Sequence, residues 1–301
     1  MGERPRNIHE SSTGLDAIRI ADDLPFIMRQ LITYLSRFAV LRRTIQVLRV
    51  HRFANLLLRI RPLVKKVPGS TVTYRAASLE SIPLAVEMFE KGTVYDRAFL
   101  RKIGPIETFA DLGCNVGYFT CLLASLNAKA IKGLMIDANG DVVKEAAWNA
   151  GANQLNQVYA LHGIVGEPSP TGEAQFYVYE SSICSSSERG TEAQAGLKGE
   201  WKETKVPCLN IEKIWTEKFG SARCHLLKVD IEGSEMKFLE TENSFLTKVD
   251  SILLEWHKWR VQLPEIQTYL EKQGFALSRI FEEDSTMGTC FFHRPSQRVA
   301  T

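Results

Sequence analysis

The sequence predicts an α/β fold built on an open, Rossmann-like, mostly parallel sheet. From Phe109 onward, short apolar strands alternate with helical stretches. That pattern marks a parallel sheet covered on both faces. The first of these strands, Phe109–Leu112, runs into Gly113-Cys114-Asn115-Val116-Gly117 and then into a helix. A glycine turn of this kind lets the backbone approach a ligand closely. A further observation sets the front of the chain apart. Between Leu24 and Leu79 there is no Asp or Glu, whereas eleven Arg and Lys residues fall there. Since the whole chain carries only +2, the remainder is net acidic. This asymmetry divides the chain into residues 1–69, a polar lead with a basic amphipathic segment, and 70–301, the α/β domain.

In the first part, residues 1–23 are polar. Leu24, Ile27, Leu31, Leu35, Phe38, Leu41, Ile45 and Leu48 then recur at helical steps. A second helical stretch, Phe53 to Val64, carries Leu56, Leu57 and Ile60, and Pro62 and Pro68-Gly69 close the region. Two uses are open to it. The helices can pack on the domain or on a second copy of the chain. Alternatively residues 24–66 can lie on an anionic membrane with arginines at headgroup level. The lack of acidic residues favours an anionic contact.

In the second part, Thr71–Ala76 alternates as a strand and Ser78–Phe89 is helical. Next come strand Phe109–Leu112, helix Val116–Leu126, strand Gly133–Ala138, helix Asp141–Ala150 and strand Val158–Ile164. An irregular stretch, Gly166–Glu203, holds strand Ala174–Tyr179 and the serine run 181–187, and Lys205–Leu209 forms a further strand. The remaining elements are helix Ile211–Phe219, strand His225–Asp230, helix Glu235–Thr241, strand Val249–Glu255 and helix Leu263–Gln273. Phe275–Phe281 and Gly288–His293 read as a closing hairpin.

The 301 residues are 45% hydrophobic and 24% charged, as in an ordinary globular protein. The six cysteines form no C-x-x-C pair, so neither a zinc site nor a disulfide framework is expected. No signal peptide is visible, and no uncharged apolar run reaches the ~20 residues that span a bilayer. A cytoplasmic location is expected, with peripheral contact at the inner face of a membrane as the further option.

Three stretches carry chemistry. In the first, the nicotinamide fingerprint G-x-G-x-x-G fails, because Asn115 stands two residues after Gly113. Asp111, Gly113, Asn115 and Gly117 instead have the spacing of a site for the amino-acid and ribose portion of an adenosine cofactor. Asp137, ending the second strand, follows Gly117 at about the 20-residue interval at which a carboxylate meets ribose hydroxyls. Gly163 and Ile164, at the end of the third strand, are candidates for the apolar slot around the adenine. In the second stretch, Lys228, Asp230 and Glu232 crowd a strand's carboxyl end, where open α/β sheets bind ligands, while Glu235 reads as a capping charge in the following helix. In the third, Glu255 and His257 lie on one side of the fifth strand, and histidine is the most available general base for a hydroxyl.

Together, Asp-Leu-Gly-Cys-Asn-Val-Gly-Tyr-Phe-Thr (111–120), Lys-Val-Asp-Ile-Glu-Gly-Ser-Glu (228–235) and Leu-Glu-Trp-His (254–257) resemble the FkbM family of S-adenosylmethionine (SAM)-dependent methyltransferases. Thr93-Val94-Tyr95 and the serine run also fit that layout. The resemblance covers roughly residues 70–295. It implies a class I methyltransferase fold, with a mostly parallel seven-stranded sheet and an antiparallel C-terminal hairpin. It also implies O-methylation of a hydroxyl on a sugar of a glycan, glycolipid or glycosylated natural product, or on a macrolide. The first motif would then bind SAM, and Asp230 and Glu232 would line the reaction site. Asn210 stands where the family usually has Asp, which touches local polar contacts only.

The protein's task in such a reaction is to position the acceptor and remove its proton, with His257 or Asp230 as base and Lys228 or Glu255 tuning it. Asp230 and Glu232 alone make an incomplete Mg²⁺ site, so no metal is expected. The competing readings are an acceptor that is not a sugar, and a membrane-associated interaction protein with a non-catalytic methyltransferase fold. No nucleic-acid partner is expected: the Asn/Asp-Pro-Pro-Tyr/Phe motif is absent, and the basic region has few interleaved aromatics.

Overall fold

The computed structural model describes residues 50–92, 95–166, 169–179 and 201–295. The expected helix over Leu24–Leu48, the Thr93-Val94 pair and the serine run 181–187 lie outside these residues. The described chain forms two compact units.

The described part of the first unit is 50–63 together with Ala76–Leu84. It is organised by helix α1 (Val50–Ile60). The helix stops short of the expected Val64, because the ring of Pro62 disfavours helical backbone at Arg61, and Leu63 instead opens strand β1 (Leu63–Lys66). One side of α1 is fastened down. Leu58 is buried with Ala76 and Ile82, and the Asn55 side-chain oxygen accepts the Leu79 N–H at 2.8 Å.

The second unit holds Val64–Arg75 and the chain from Ala85 onward. Strand β1 pairs with β2 (Thr73–Ala76) in a two-stranded sheet. After the short helix α2 (Ser81–Ala85), helix α3 (Arg97–Lys102) is capped by Asp96, whose carboxylate accepts the Phe99 N–H at 3.0 Å. The alternation foreseen from Phe109 then unfolds: β3 (Thr108–Leu112), α4 (Tyr118–Leu126), β4 (Lys132–Asp137), α5 (Gly140–Ala152) and β5 (Val158–His162). Next come β6 (Glu173–Tyr179), β7 (Trp201–Pro207), α6 (Ile211–Phe219), β8 (Cys224–Val229), α7 (Glu235–Thr241) and α8 (Asn243–Leu246). The series closes with β9 (Val249–His257), α9 (Leu263–Lys272), β10 (Ala276–Glu283) and β11 (Met287–His293).

Seven strands form one sheet in the order β10-β11-β9-β8-β3-β4-β5. Neighbours from β9 to β5 run parallel, whereas β11 pairs antiparallel with both β9 and β10. This is the class I methyltransferase topology expected from the sequence. Strand β3 lies at the middle of the five parallel strands with every residue buried, and burial on both faces explains why Phe109–Leu112 reads as an apolar run broken only by Asp111. Trp215, Phe238, Phe245, Leu254 and Trp256 fill the core on one face. Fully burying each large apolar side chain contributes about 1.5–3 kcal/mol.

One stretch departs from expectation. The segment up to Glu203 was expected to be irregular, yet β7 already begins at Trp201 and pairs antiparallel with β6 in a separate two-stranded sheet. Its sequence, Trp-Lys-Glu-Thr-Lys-Val-Pro, lacks the apolar alternation that marks a strand. Cross-strand pairing makes it a strand, and Val206 with Phe176 of β6 anchors the pair in a small cluster with Ala138.

Candidate active site

The strand order reverses between β3 and β8, and ligands of open α/β sheets bind outside the carboxyl ends at such a point. The ends of β8, β3 and β4 therefore define the crevice. Gly113, just past β3, has φ +72°, and a β-carbon on it would lie 1.7 Å from the Asp230 carbonyl oxygen. The two strand ends thus touch backbone to backbone, and only glycine fits between them. The Asp230 N–H completes this junction by donating to the Leu112 carbonyl at 3.1 Å. Gly117, with φ +78°, then starts α4.

Between the glycines, Asn115 takes a left-handed backbone, φ +48°, and its N–H donates to Asp137 Oδ2 at 2.9 Å. The Asn139 N–H donates to the other oxygen at 2.8 Å. Burial raises the Asp137 carboxyl to about 6, against the pull of these two N–H groups and of Lys228. Both oxygens keep lone pairs for further donors. Gly163 and Ile164 follow β5. Leu209 and the Pro207 carbonyl fill the space a side chain on Gly163 would need. The Ile164 N–H donates to Pro207 and its carbonyl accepts from Leu209, while its side chain packs beside Ala138, next to Asp137.

On the other side of Gly113, the buried Lys228 binds three groups. Its ammonium is 3.3 Å from Asp111, 3.2 Å from Asp230 and donates to the Gly113 carbonyl at 3.1 Å. Burial works against the charged lysine, but Asp230, Tyr95, Asp111 and Glu255 outweigh it and raise its pKa well above the ordinary value. Asp111 is completely enclosed. Its carboxylate reaches the crevice through the ion pair with Lys228.

His257 stands at the centre of the carboxylates. Its Nδ1 is 2.9 Å from Glu235 Oε1, and its Nε2 is 3.5 Å from Glu232 and 3.7 Å from Glu255. Burial alone would lower the His257 pKa, but the Glu235 hydrogen bond and the charges of Glu235, Glu232 and Asp230 bring it up to about 10. The surrounding carboxylates thus favour the imidazolium form of the ring over the neutral imidazole expected of a general base. Burial and repulsion from Asp230 also raise Glu232 to about 8 and Glu255 to about 9. The cluster thus holds protons that exposed carboxylates would have released.

Glu232 adopts a left-handed backbone, φ +52°, rare for a residue with a side chain and a mark of strain held at functional turns. The turn swings Glu235 inward. Glu235 was expected to be a helix cap. It stands in the first turn of α7 as expected, its Oε1 accepting the Gly233 N–H, and it is also fully buried with the same oxygen 2.9 Å from the His257 Nδ1. The sequence marked Tyr95 only as fitting the family layout; it is a buried phenol whose ionisation feels Lys228, Asp230 and Glu255. Both belong to the site through contacts distant in the chain, and no local spacing announces them. Asp230, Glu255 and His257 each offer one ligand atom, all within 4.8 Å of one another. A mixed N/O set of this kind suits a first-row transition ion better than Mg²⁺.

The model of the methyltransferase FkbM domain matches residues 111–277, more than half of the chain. The chain belongs to the FkbM methyltransferase family. Every crevice residue named above except Tyr95 falls inside the matched range of this methyltransferase, whereas α1 falls outside it. No curated protein matches the sequence. Among solved structures, a SAM-dependent methyltransferase from Aquifex aeolicus is 15% identical, covering 70% of this chain and 92% of that one, with TM-score 0.39. M. jannaschii TYW2 in complex with AdoMet is 15% identical over 77% and 86%, with TM-score 0.39. Magnesium protoporphyrin IX methyltransferase from Synechocystis, solved with bound SAM, is 11% identical over 71% and 81%, with TM-score 0.39.

Proposed function

We propose that this methyltransferase uses SAM to methylate a hydroxyl, with a sugar of a glycan, glycolipid or glycosylated natural product as acceptor. The observation that carries the reading is the junction at Gly113. It sets a backbone cradle, the Asp137 carboxylate and the Asp230–His257 cluster around one crevice. The cradle leaves no room for a side chain, and Asp137 retains acceptor capacity where ribose hydroxyls would donate. Asn115 fixes the Asp137 rotamer, and Ile164 supplies apolar surface beside it. These residues fit the cofactor, which when bound supplies an activated methyl on a sulfonium.

The protein's own work is positioning and proton removal. The Asp230 side chain is 24% exposed, so it is open to an acceptor while Lys228 fixes one of its oxygens. Asp230 is thus the carboxylate placed to take the hydroxyl proton. His257, oriented by Glu235, stands 3.5 Å from Glu232 and 3.7 Å from Glu255 and ties the two carboxyl groups to the same wall of the crevice. A sugar acceptor suits this polar, carboxylate-lined wall, because carboxylates are strong acceptors for several hydroxyls at once.

The test is methyl transfer from labelled SAM to glycans and glycolipids extracted from the source cells, alongside calorimetric binding of S-adenosylhomocysteine. Asp137→Ala should abolish binding. Asp230→Asn should keep binding and lose transfer. A well-folded protein that binds no S-adenosylhomocysteine would refute the enzyme reading, and label transferred only to acceptors without sugars would refute the acceptor class.

A further inference from the structure

We infer that helix α1 docks in the plane of an anionic lipid surface through an apolar face that the described residues leave uncovered. Phe53, Leu56, Leu57 and Ile60 stand at i, i+3, i+4 and i+7, which places them on one face of the helix. They are 62%, 53%, 43% and 72% exposed. Singly exposed apolar residues are normal, but four contiguous ones on a single face mark an interaction surface. The opposite side of the helix is the fastened one, where Leu58 packs and Asn55 holds the Leu79 N–H. The helix is therefore presented with its apolar face outward.

Charge identifies the occupant. Arg59 lies beside the apolar face and Arg61 just beyond the helix end, both exposed. They belong to the Leu24–Leu79 stretch, which has eleven basic residues and no acidic one. A second copy meeting this face two-fold would bring an equally basic helix against it, which like charges oppose. An anionic bilayer meets both requirements, with hydrocarbon for the apolar side chains and phosphates for the guanidinium groups. At eleven residues the helix is about 16 Å long, far below a membrane span. Among the described residues no helix is long and apolar enough to cross a membrane, so α1 lies along the surface.

The experiment is flotation of the full chain with phosphatidylcholine vesicles containing or lacking 30 mol% phosphatidylglycerol, in low and high salt. Wild type should float with the anionic vesicles and be released by salt. Leu56→Ser/Ile60→Ser should lower the partition coefficient about tenfold, and Arg59→Gln/Arg61→Gln should lower it about fivefold for each charge. Unchanged melting temperature and S-adenosylhomocysteine affinity in both variants would show that the fold is intact. The inference fails if wild type stays at the bottom of the gradient, or if the serine variant floats as well as wild type. It also fails if neutral and anionic vesicles bind equally. A wild-type dimer that the serine substitutions turn into a monomer would assign the face to a second copy and overturn it too. None of these outcomes bears on methyl transfer, which is measured separately.

Discussion

Replacing Gly113 with alanine separates two costs that usually arrive together, because Gly69 provides a matched control. Gly113 has φ +72° and Gly69 has φ +73°, so an alanine pays the same left-handed backbone penalty at either site, about 1 kcal/mol. Around Gly69 nothing lies within 4 Å of the new methyl. At Gly113 the methyl would sit 1.7 Å from the Asp230 carbonyl oxygen and 2.8 Å from its carbon. Both are backbone atoms, so β3 and β8 must part at their ends, which adds about 1–3 kcal/mol or more of overpacking. For a domain of this size each kcal/mol is worth about 2–4 °C. Gly69→Ala should therefore melt about 2–4 °C below wild type, and Gly113→Ala about 10 °C below, by scanning calorimetry. The parted strands also displace Asp230 and the Asn115–Asp137 contact, and an ångström of misplacement at a site can cost about a hundredfold. S-adenosylhomocysteine affinity should fall by that factor or more in Gly113→Ala and stay unchanged in Gly69→Ala. Equal melting shifts in the two variants, or full affinity in Gly113→Ala, would show that the crossing of the strand ends does not build the site.

Cofactor binding should depend on pH through Asp137. Its carboxyl is raised to about 6 from an ordinary 3.8, so below pH 6 a proton must leave before ribose hydroxyls can donate to it. Affinity by calorimetry should be level above pH 6 and drop about tenfold per unit below it. The folding contribution has the opposite sign: it is fully present below 3.8 and is lost as pH rises through 6. Lys228→Met leaves the enclosed Asp111 without a counter-ion and should cost about 3–5 kcal/mol in urea unfolding, with Asp111→Asn in the same chain restoring part of it; no rescue would mean the pair is not coupled. Asn210, which replaces the family's usual Asp, accepts the Lys213 N–H at 2.7 Å as the cap of α6. Asn210→Asp should be neutral and Asn210→Ala should lose about 1 kcal/mol, and a large effect of Asp would assign the position a role beyond capping.

The parts of the fold that the sequence revealed are those built from local rules. Strands β3, β4 and β8 are short, mostly apolar runs with charged residues at or near their carboxyl ends, and glycines mark the turn after β3, so the sheet and its crevice are legible in the sequence. Asp137, Asp230, Glu232 and His257 could be named from sequence because strand ends are where such sheets place polar groups. Partnership was not legible. Glu235 reads locally as a helix charge, and only the return of β9, 22 residues later, gives it His257. Proton placement on His257 was hidden for the same reason, since it depends on how many carboxylates the fold gathers. β7 escaped because its partner strand, and not its own pattern, defines it.

The insertion of β11 between β9 and β10 bears on how the protein is made. His257 ends a strand whose free edge is closed only when Met287 pairs with it. Until β11 has left the ribosome, β9 therefore waits with an apolar, unpaired border beside the unfinished active site. A nascent chain stalled before Met287 should be cut by protease within 249–257, whereas one released beyond His293 should resist. The growing polypeptide would thus stay inactive and dependent on chaperones until the strand that seals the catalytic edge has joined the sheet.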